Sequence, residues 1–403
     1  MAVTRAETPI PQIARYARPA LIVGAVALLL SIVGAFFASD MFWQSYLFAF
    51  LFWFALSMGG LGLLMLQYVV QGRWGQTIKR ILEAMALNLP LLAIAFVPIL
   101  VSLFLGSGAL YPWNNPETVN EFEMLQFRVE TGYLTPLWFT VRAVLYFAVW
   151  LGLMVLLTRG SREQDANPSD SIHKRLGRTS ALGIVLFMLS YSFATIDWGM
   201  TTEVLWYSTM YPVLYVVISA LTGIAFSILV LSFIRKLPQI SRIATANRFH
   251  DLSTLAFAFT VLWTYVNFSQ FLIMYSANIS EEAEFYVHRT QGGWGILGGV
   301  VTICCFILPF LTLLGRRTKR SPQRMRAIAA FIIGAQVLNL FYTLIPAFHT
   351  EQFTVNWTDI VAWVGLGGLW IGLFLTTLSR NPLVVENDPR QAHCLERHHG
   401  DAF

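Results

Sequence analysis

Long apolar stretches separated by short polar links occupy most of this chain. Ten are predicted to be membrane-spanning helices, at about 19–39, 43–70, 79–106, 134–158, 178–200, 206–234, 250–277, 293–315, 326–347 and 357–379. Each is long enough to cross about 30 Å of hydrocarbon at 1.5 Å per residue. The pattern predicts an all-α polytopic membrane protein with a short segment 1–18, a ten-helix membrane domain 19–379 and a tail 380–403. The basic, proline-containing lead into the first stretch shows no small-residue cleavage site, so a spanning helix is expected there rather than a cleaved leader.

Charge orients the helices. Of the 27 Lys and Arg residues, 24 fall on one side of this map. They include Arg15 and Arg18, Arg73 to Arg80, Arg159 to Arg178, Arg235 to Arg248, Arg316 to Arg326, and Arg380 in the tail. Positive charge concentrates in cytoplasmic loops, so both termini are expected in the cytoplasm of a bacterial cell, with the helices in its inner membrane. The opposite loops carry Glu117, Glu121, Glu123, Glu130, Glu203, Glu281, Glu282, Glu284 and Glu351, together with Trp and Tyr in YPWNNP, EVLWYSTMYP and EFYVHR. The 27-residue outer link 107–133 is long enough to suggest a docking surface.

Composition agrees with this picture. Hydrophobic residues make up 56% and charged residues 12% of the chain, against about a quarter charged in soluble domains. A net charge of +5 invites a nucleic-acid reading, but its confinement to short loops excludes that partner; lipids are the expected surroundings.

Stretches two to five and six to nine read as two parallel four-helix units, 43–200 and 206–347. Arg80 and Glu83 open the third stretch as Arg-x-x-acid, and Arg248 and Asp251 open the seventh in the same way. Arg-rich inner loops make such matches common, so the alternative is coincidence.

Ionisable residues inside a span are costly and therefore candidates for function. Glu83, His250 and Asp251 stand near the inner boundary, and Arg142 and Asp197 near the outer one. The seventh stretch adds Thr264, Asn267 and Gln270, and the ninth adds Gln336, Asn339 and Tyr342 along one stripe. Carboxylates, His and hydrogen-bonding groups are what a proton relay needs, so Glu83, Arg142, Asp197, His250, Asp251, Asn267 and Gln270 are the proton-path candidates. The bland alternative is local pairing, of Glu83 and Asp251 with loop cations and of Arg142 with Asp197. Trp206, Tyr207 and Tyr211 could wall a quinone pocket, although interfacial aromatic belts have the same composition.

No histidine pair has haem-ligating spacing, and no CxxC cluster, P-loop or dinucleotide fingerprint occurs. Cys394 lies near His393, His398 and His399, a weak metal cluster of the kind that polar tails often carry; no catalytic, cofactor or metal site is expected. Gly59-Gly60-x-Gly62 and Gly365-x-Gly367-Gly368 predict close helix contacts.

Two segments carry a family resemblance: LSYSFATIDWGMTTEVLWYSTMYPVLYV (189–216) and FHDLSTLAFAFTVLWTYVNFSQFLIMYSANISEEAEFYVHR (249–289). With the ten-span layout, they make the chain resemble the F subunits of bacterial alternative complex III, a quinol oxidoreductase, within the polysulfide-reductase-like (NrfD-like) membrane subunits. The resemblance implies two four-helix bundles with peripheral helices. It implies a scaffold and a possible proton-translocation path in a respiratory or photosynthetic electron-transport chain, not a catalyst on its own. Iron–sulfur clusters, c-type haems and quinol are then expected on partners: a paralogous quinol-binding membrane subunit, an iron–sulfur subunit, c-type haem subunits and small membrane-anchored subunits. Two other readings stay open. One is a quinone-binding subunit in its own right. The other is a secondary transporter, for which Pro90, Pro98, Pro309 and Pro346 offer kinks but no midplane charge cluster offers a substrate site.

Overall fold

The computed structural model describes residues 10–106, 108–115, 132–203, 206–277 and 279–384, apart from the side chains of 280–282. Most of the outer link 107–133 and the cysteine–histidine tail lie outside the described residues. Ten helices are long and apolar enough to cross a membrane: α1 (Pro11–Ala35), α2 (Ser39–Val70), α3 (Arg73–Leu105), α4 (Pro136–Ala166), α5 (Asp170–Thr202), α6 (Met210–Ile234), α7 (Ala246–Ala277), α8 (Trp294–Leu314), α9 (Pro322–Ala347) and α10 (Trp357–Arg380). The chain is an all-α, multi-pass membrane protein. All ten apolar stretches become helices, and several continue past the apolar core into the basic end. There α4 and α5 run on to a short link between Ala166 and Asp170.

Local chemistry shapes the helix ends and breaks. Thr135 caps α4, accepting from the Trp138 amide, with Pro136 in the first turn where no amide hydrogen is needed. Asn356 and Asp359 form a capping box on α10. Helix α3 is interrupted at Leu87–Asn88 and again at Phe96, each time just before a proline, Pro90 and Pro98. A proline withdraws one backbone donor from the turn before it. Helix α8 passes through a π-helical turn, Ile303–Ile307, before Pro309. The start of α6 differs from the sequence expectation: Trp206, Tyr207 and Ser208 precede the helix, which opens at Met210 with Pro212 in its first turn.

Helix α2 is apolar on every face and buried along almost its whole length, so it forms the axis of the molecule. It packs against α3, α5, α6 and α10. Contacts between neighbours close two four-helix rings, α2–α3–α4–α5 and α6–α7–α8–α9, joined mainly through α2 and α6. At that junction a Cβ on Gly59 would lie 2.0 Å from the Ser219 carbonyl oxygen. The peripheral pair α1–α10 is equally close: a Cβ on Gly368 would lie 2.5 Å from Gly24 Cα. Both glycine groups singled out in the sequence therefore sit at close helix crossings, where small residues let backbones meet.

Candidate functional site

The two rings share a plan but differ inside. In the first, α2–α5, aromatic side chains fill the centre. Trp198 packs on Phe96 at 4.3 Å between ring centroids, on Phe54 at 5.1 Å and on Phe147 at 5.6 Å. Trp150 joins them, its indole N–H donating to Ser190 Oγ at 2.9 Å.

Ionisable residues of this ring are pinned at its two ends. Near the outer end Asp197 is fully buried. Arg142 donates to both of its carboxylate oxygens, from Nε at 2.8 Å and from Nη2 at 3.0 Å, and the Tyr146 hydroxyl donates at 3.0 Å. The guanidinium also donates to the Tyr133 carbonyl at 2.8 Å and lies 3.9 Å from the Tyr133 ring centroid. Near the inner end Arg80 Nη1 donates to Glu83 Oε2 at 2.6 Å and to Ser161 Oγ at 3.2 Å, and Nη2 pairs with Asp165. Arg80, Glu83 and Ser161 are buried and Asp165 is half-buried, and Lys79 lies beside them over the Tyr68 ring.

The corresponding motif in the second ring is looser. Arg248 reaches Asp251 at 3.5 Å and His250 stands 3.9 Å from the same carboxylate, whose side chain is 42% exposed. Helix α7 is then apolar from Leu255 to Phe259. That leaves about 9 Å of helix between the polar groups Thr254 and Thr260. The hydrogen-bonding residues of α7 thus fall into two groups, one at the inner mouth and one in the outer half.

The outer group lines a cavity of about 400 Å³ enclosed by α6–α9 and the short helix Ser280–His288. It brings together seven residues singled out in the sequence: Asn267 and Gln270 from the proton-path set, Trp206 and Tyr211 from the aromatic set, and Thr264, Asn339 and Tyr342 from the polar stripes of the seventh and ninth stretches. Tyr207 does not line it and is half exposed. Glu83, Arg142, Asp197, His250 and Asp251 lie elsewhere. Asn339, Thr343 and Tyr342 of α9 close one wall, and Gly295, Gly298, Val301, Thr302 and Phe306 of α8 form another. Several polar groups here bond within the fold. The Gln270 carbonyl accepts from the Ser208 hydroxyl, the Asn267 amide donates to the Trp263 carbonyl at 2.8 Å, and Tyr211 donates to Tyr215 at 3.0 Å. Burial raises the Tyr286 hydroxyl above the ordinary tyrosine range, so this wall residue stays protonated.

Sequence reasoning missed Arg289. It is 2% exposed, lines the cavity, and pairs with Glu203 at 2.6 Å. It also donates to the carbonyls of Phe285 at 2.8 Å and Thr343 at 2.5 Å, with its guanidinium 3.4 Å from the Phe285 ring centroid. The signal was present: Arg289 is one of three basic residues on the acidic side of the map. Among the described residues, three buried N–H groups belonging to residues of the cavity wall lack a hydrogen-bond partner: Trp206 Nε1, Trp263 Nε1 and Arg289 Nε.

Neither protein-family models nor curated proteins match this chain.

Proposed function

We propose that the chain is a membrane subunit of a quinol-oxidising electron-transfer assembly of the alternative complex III type, acting as the scaffold on which redox-active partners sit. The resemblance in 189–216 and 249–289 suggests the assembly. The observation that carries the scaffold role is the pairing of in-span ionisable residues: Arg142 with Asp197, Arg80 with Glu83 and Asp165, and Arg248 with Asp251. Each of these carboxylates is already engaged by an arginine within the fold. Arg142–Asp197 and Arg80–Asp165 tie neighbouring helices together, as the filled core of the first ring does, whereas Arg80–Glu83 and Arg248–Asp251 each lie within one helix. The acidic outer loops suit docking of extrinsic subunits, and the iron–sulfur clusters, c-type haems and quinol-oxidising centre then belong to those partners.

A second reading, a proton passage through the second ring, is favoured by the hydrogen-bonding groups of α7 and α9 around the cavity. The apolar stretch Leu255–Phe259 separates them from Asp251, so this reading requires water to bridge that gap. Extraction in mild detergent tests the assembly. Co-purification with multihaem and iron–sulfur proteins is the expected result. Recovery of the chain alone or as a homo-oligomer would favour a transporter instead.

A further inference from the structure

We propose that the inner end of the second ring binds the headgroup of an anionic phospholipid, its phosphate held among His250, Arg316, Lys319 and Arg320 and its hydrocarbon laid along the lipid-facing side of α7 and α8. The site stands on charge and burial at this end of the molecule and does not depend on which assembly the chain joins.

Charge gives the first argument. The inner links 235–251 and 315–326 of the second ring hold ten Lys and Arg residues and one carboxylate, Asp251, whereas the inner links 71–83 and 159–178 of the first ring hold eight and four. Sidedness alone predicts an excess of cations at both inner ends. It does not predict that carboxylates accompany them in one ring and are nearly missing from the other. In the first ring Arg80 pairs with Glu83 and Asp165, and Arg175 with Glu163. In the second, Asp251 is engaged by Arg248. Among the described residues, no carboxylate pairs with Arg316, Arg317 or Lys319. These cations nonetheless converge. The helical turn Arg316–Lys319 packs against α7, and Arg316, Lys319 and Arg320 all act electrostatically on the His250 ring.

Burial gives the second argument. Lys319 is 8% exposed, and among the described residues its ammonium meets neutral groups: the Thr254 hydroxyl at 3.5 Å and the Phe257 ring, 4.7 Å from its centroid. A buried charge is costly unless an opposite charge meets it. Thr254 is itself exposed, so this ammonium stands near the surface rather than in the core. Arg320 is oriented beside it by donation to the Asn247 side-chain carbonyl at 2.8 Å. His250, Thr254 and Ala258 follow at four-residue intervals along one face of α7. Thr254 and Ala258 are small and exposed, and Leu311 and Leu314 are exposed on α8, which packs against this half of α7. The cations therefore adjoin an apolar, lipid-facing surface, which favours a headgroup carrying acyl chains over a free phosphate ion. Basic pockets between spans at the inner face are suited to such headgroups.

The test is native mass spectrometry of the purified full chain, with any partners that co-purify, delipidated in a nonionic detergent and titrated with phosphatidylglycerol, phosphatidylcholine or inorganic phosphate. Saturable retention of phosphatidylglycerol is expected, with phosphatidylcholine held far more weakly and excess inorganic phosphate unable to displace the lipid. Arg316→Gln removes an exposed cation without disturbing the core and should weaken phosphatidylglycerol binding about fivefold. Lys319→Gln should weaken it by at least as much. Ala258→Trp covers the hydrocarbon track and should weaken lipid binding with every cation in place. Arg159→Gln/Arg162→Gln, at the inner end of the first ring, should leave it unchanged. Equal retention of phosphatidylcholine, or displacement by inorganic phosphate, would overturn the proposal. So would unchanged affinity in Arg316→Gln, or an equal loss in Arg159→Gln/Arg162→Gln, which would mark a diffuse attraction to the whole inner face. Co-purification of redox partners is scored separately, so the scaffold reading and the lipid site can fail independently.

Discussion

Removing either member of the Arg142–Asp197 pair should have unequal consequences, because the two side chains are buried unequally. Asp197 is fully buried, whereas the Arg142 side chain is 16% exposed. In Arg142→Leu the carboxylate loses both guanidinium donors, while the Tyr146 donor remains. A buried ion pair broken in this way costs about 3–5 kcal/mol. In Asp197→Asn a carbonyl oxygen remains as acceptor, and the guanidinium keeps the Tyr133 carbonyl and ring. It can also extend along its stem toward the interface. That change should cost about 1–2 kcal/mol. The double variant Arg142→Leu/Asp197→Leu should recover part of the Arg142→Leu loss, since an apolar pair replaces a buried charge. Reversible unfolding of the purified chain in mixed detergent–SDS micelles, followed by tryptophan fluorescence, measures all three. Equal costs for the two single variants, or strict additivity in the double, would refute the argument that buried charge sets the stability of this pair.

Four further outcomes follow from packing and charge. Trp198→Ala should destabilise by about 3–5 kcal/mol, because it empties the filled centre of the first ring; the same micelle assay reads it, and a loss below about 1 kcal/mol would contradict the packing. Gly59→Val should lower the yield of folded protein sharply, since its first side-chain carbon already meets the Ser219 backbone; size-exclusion chromatography in detergent checks this, and a normal monodisperse yield would contradict the close crossing. Asp251→Asn should change stability by less than about 1 kcal/mol, as its partner is 3.5 Å away and the carboxylate is partly exposed. Glu83→Gln, in the buried Arg80 cluster, should cost about 1–3 kcal/mol.

Much of the fold was legible in the sequence because one property, sustained apolarity, decides membrane insertion helix by helix. The ten helices, the glycine crossings at Gly59 and Gly368, and the pairing of Arg142 with Asp197 all came from local pattern or from the cost of a charge in lipid. The contrast between the rings was not legible. Whether four helices enclose a core or a cavity depends on whether side chains turn toward the centre, as Trp198, Phe96 and Phe147 do in the first ring. Periodicity does not encode that. Arg289 was overlooked because it caps a short helix between spans, although its charge was on the wrong side. Trp206 was placed in a helix because it continues the apolar run; Pro212 and the non-helical Trp206–Ser208 segment delay the helix to Met210.

The scaffold claim is tested most directly by the proton-to-electron stoichiometry of the intact assembly in proteoliposomes, comparing wild type with Glu83→Gln and Asp251→Asn at matched quinol turnover. Carboxylates that serve as structural pins leave the stoichiometry unchanged in both variants, and this is the expected result. A fall in vectorial proton movement in either variant, with turnover preserved, would contradict it and make the second reading, a proton passage through this chain, the correct one.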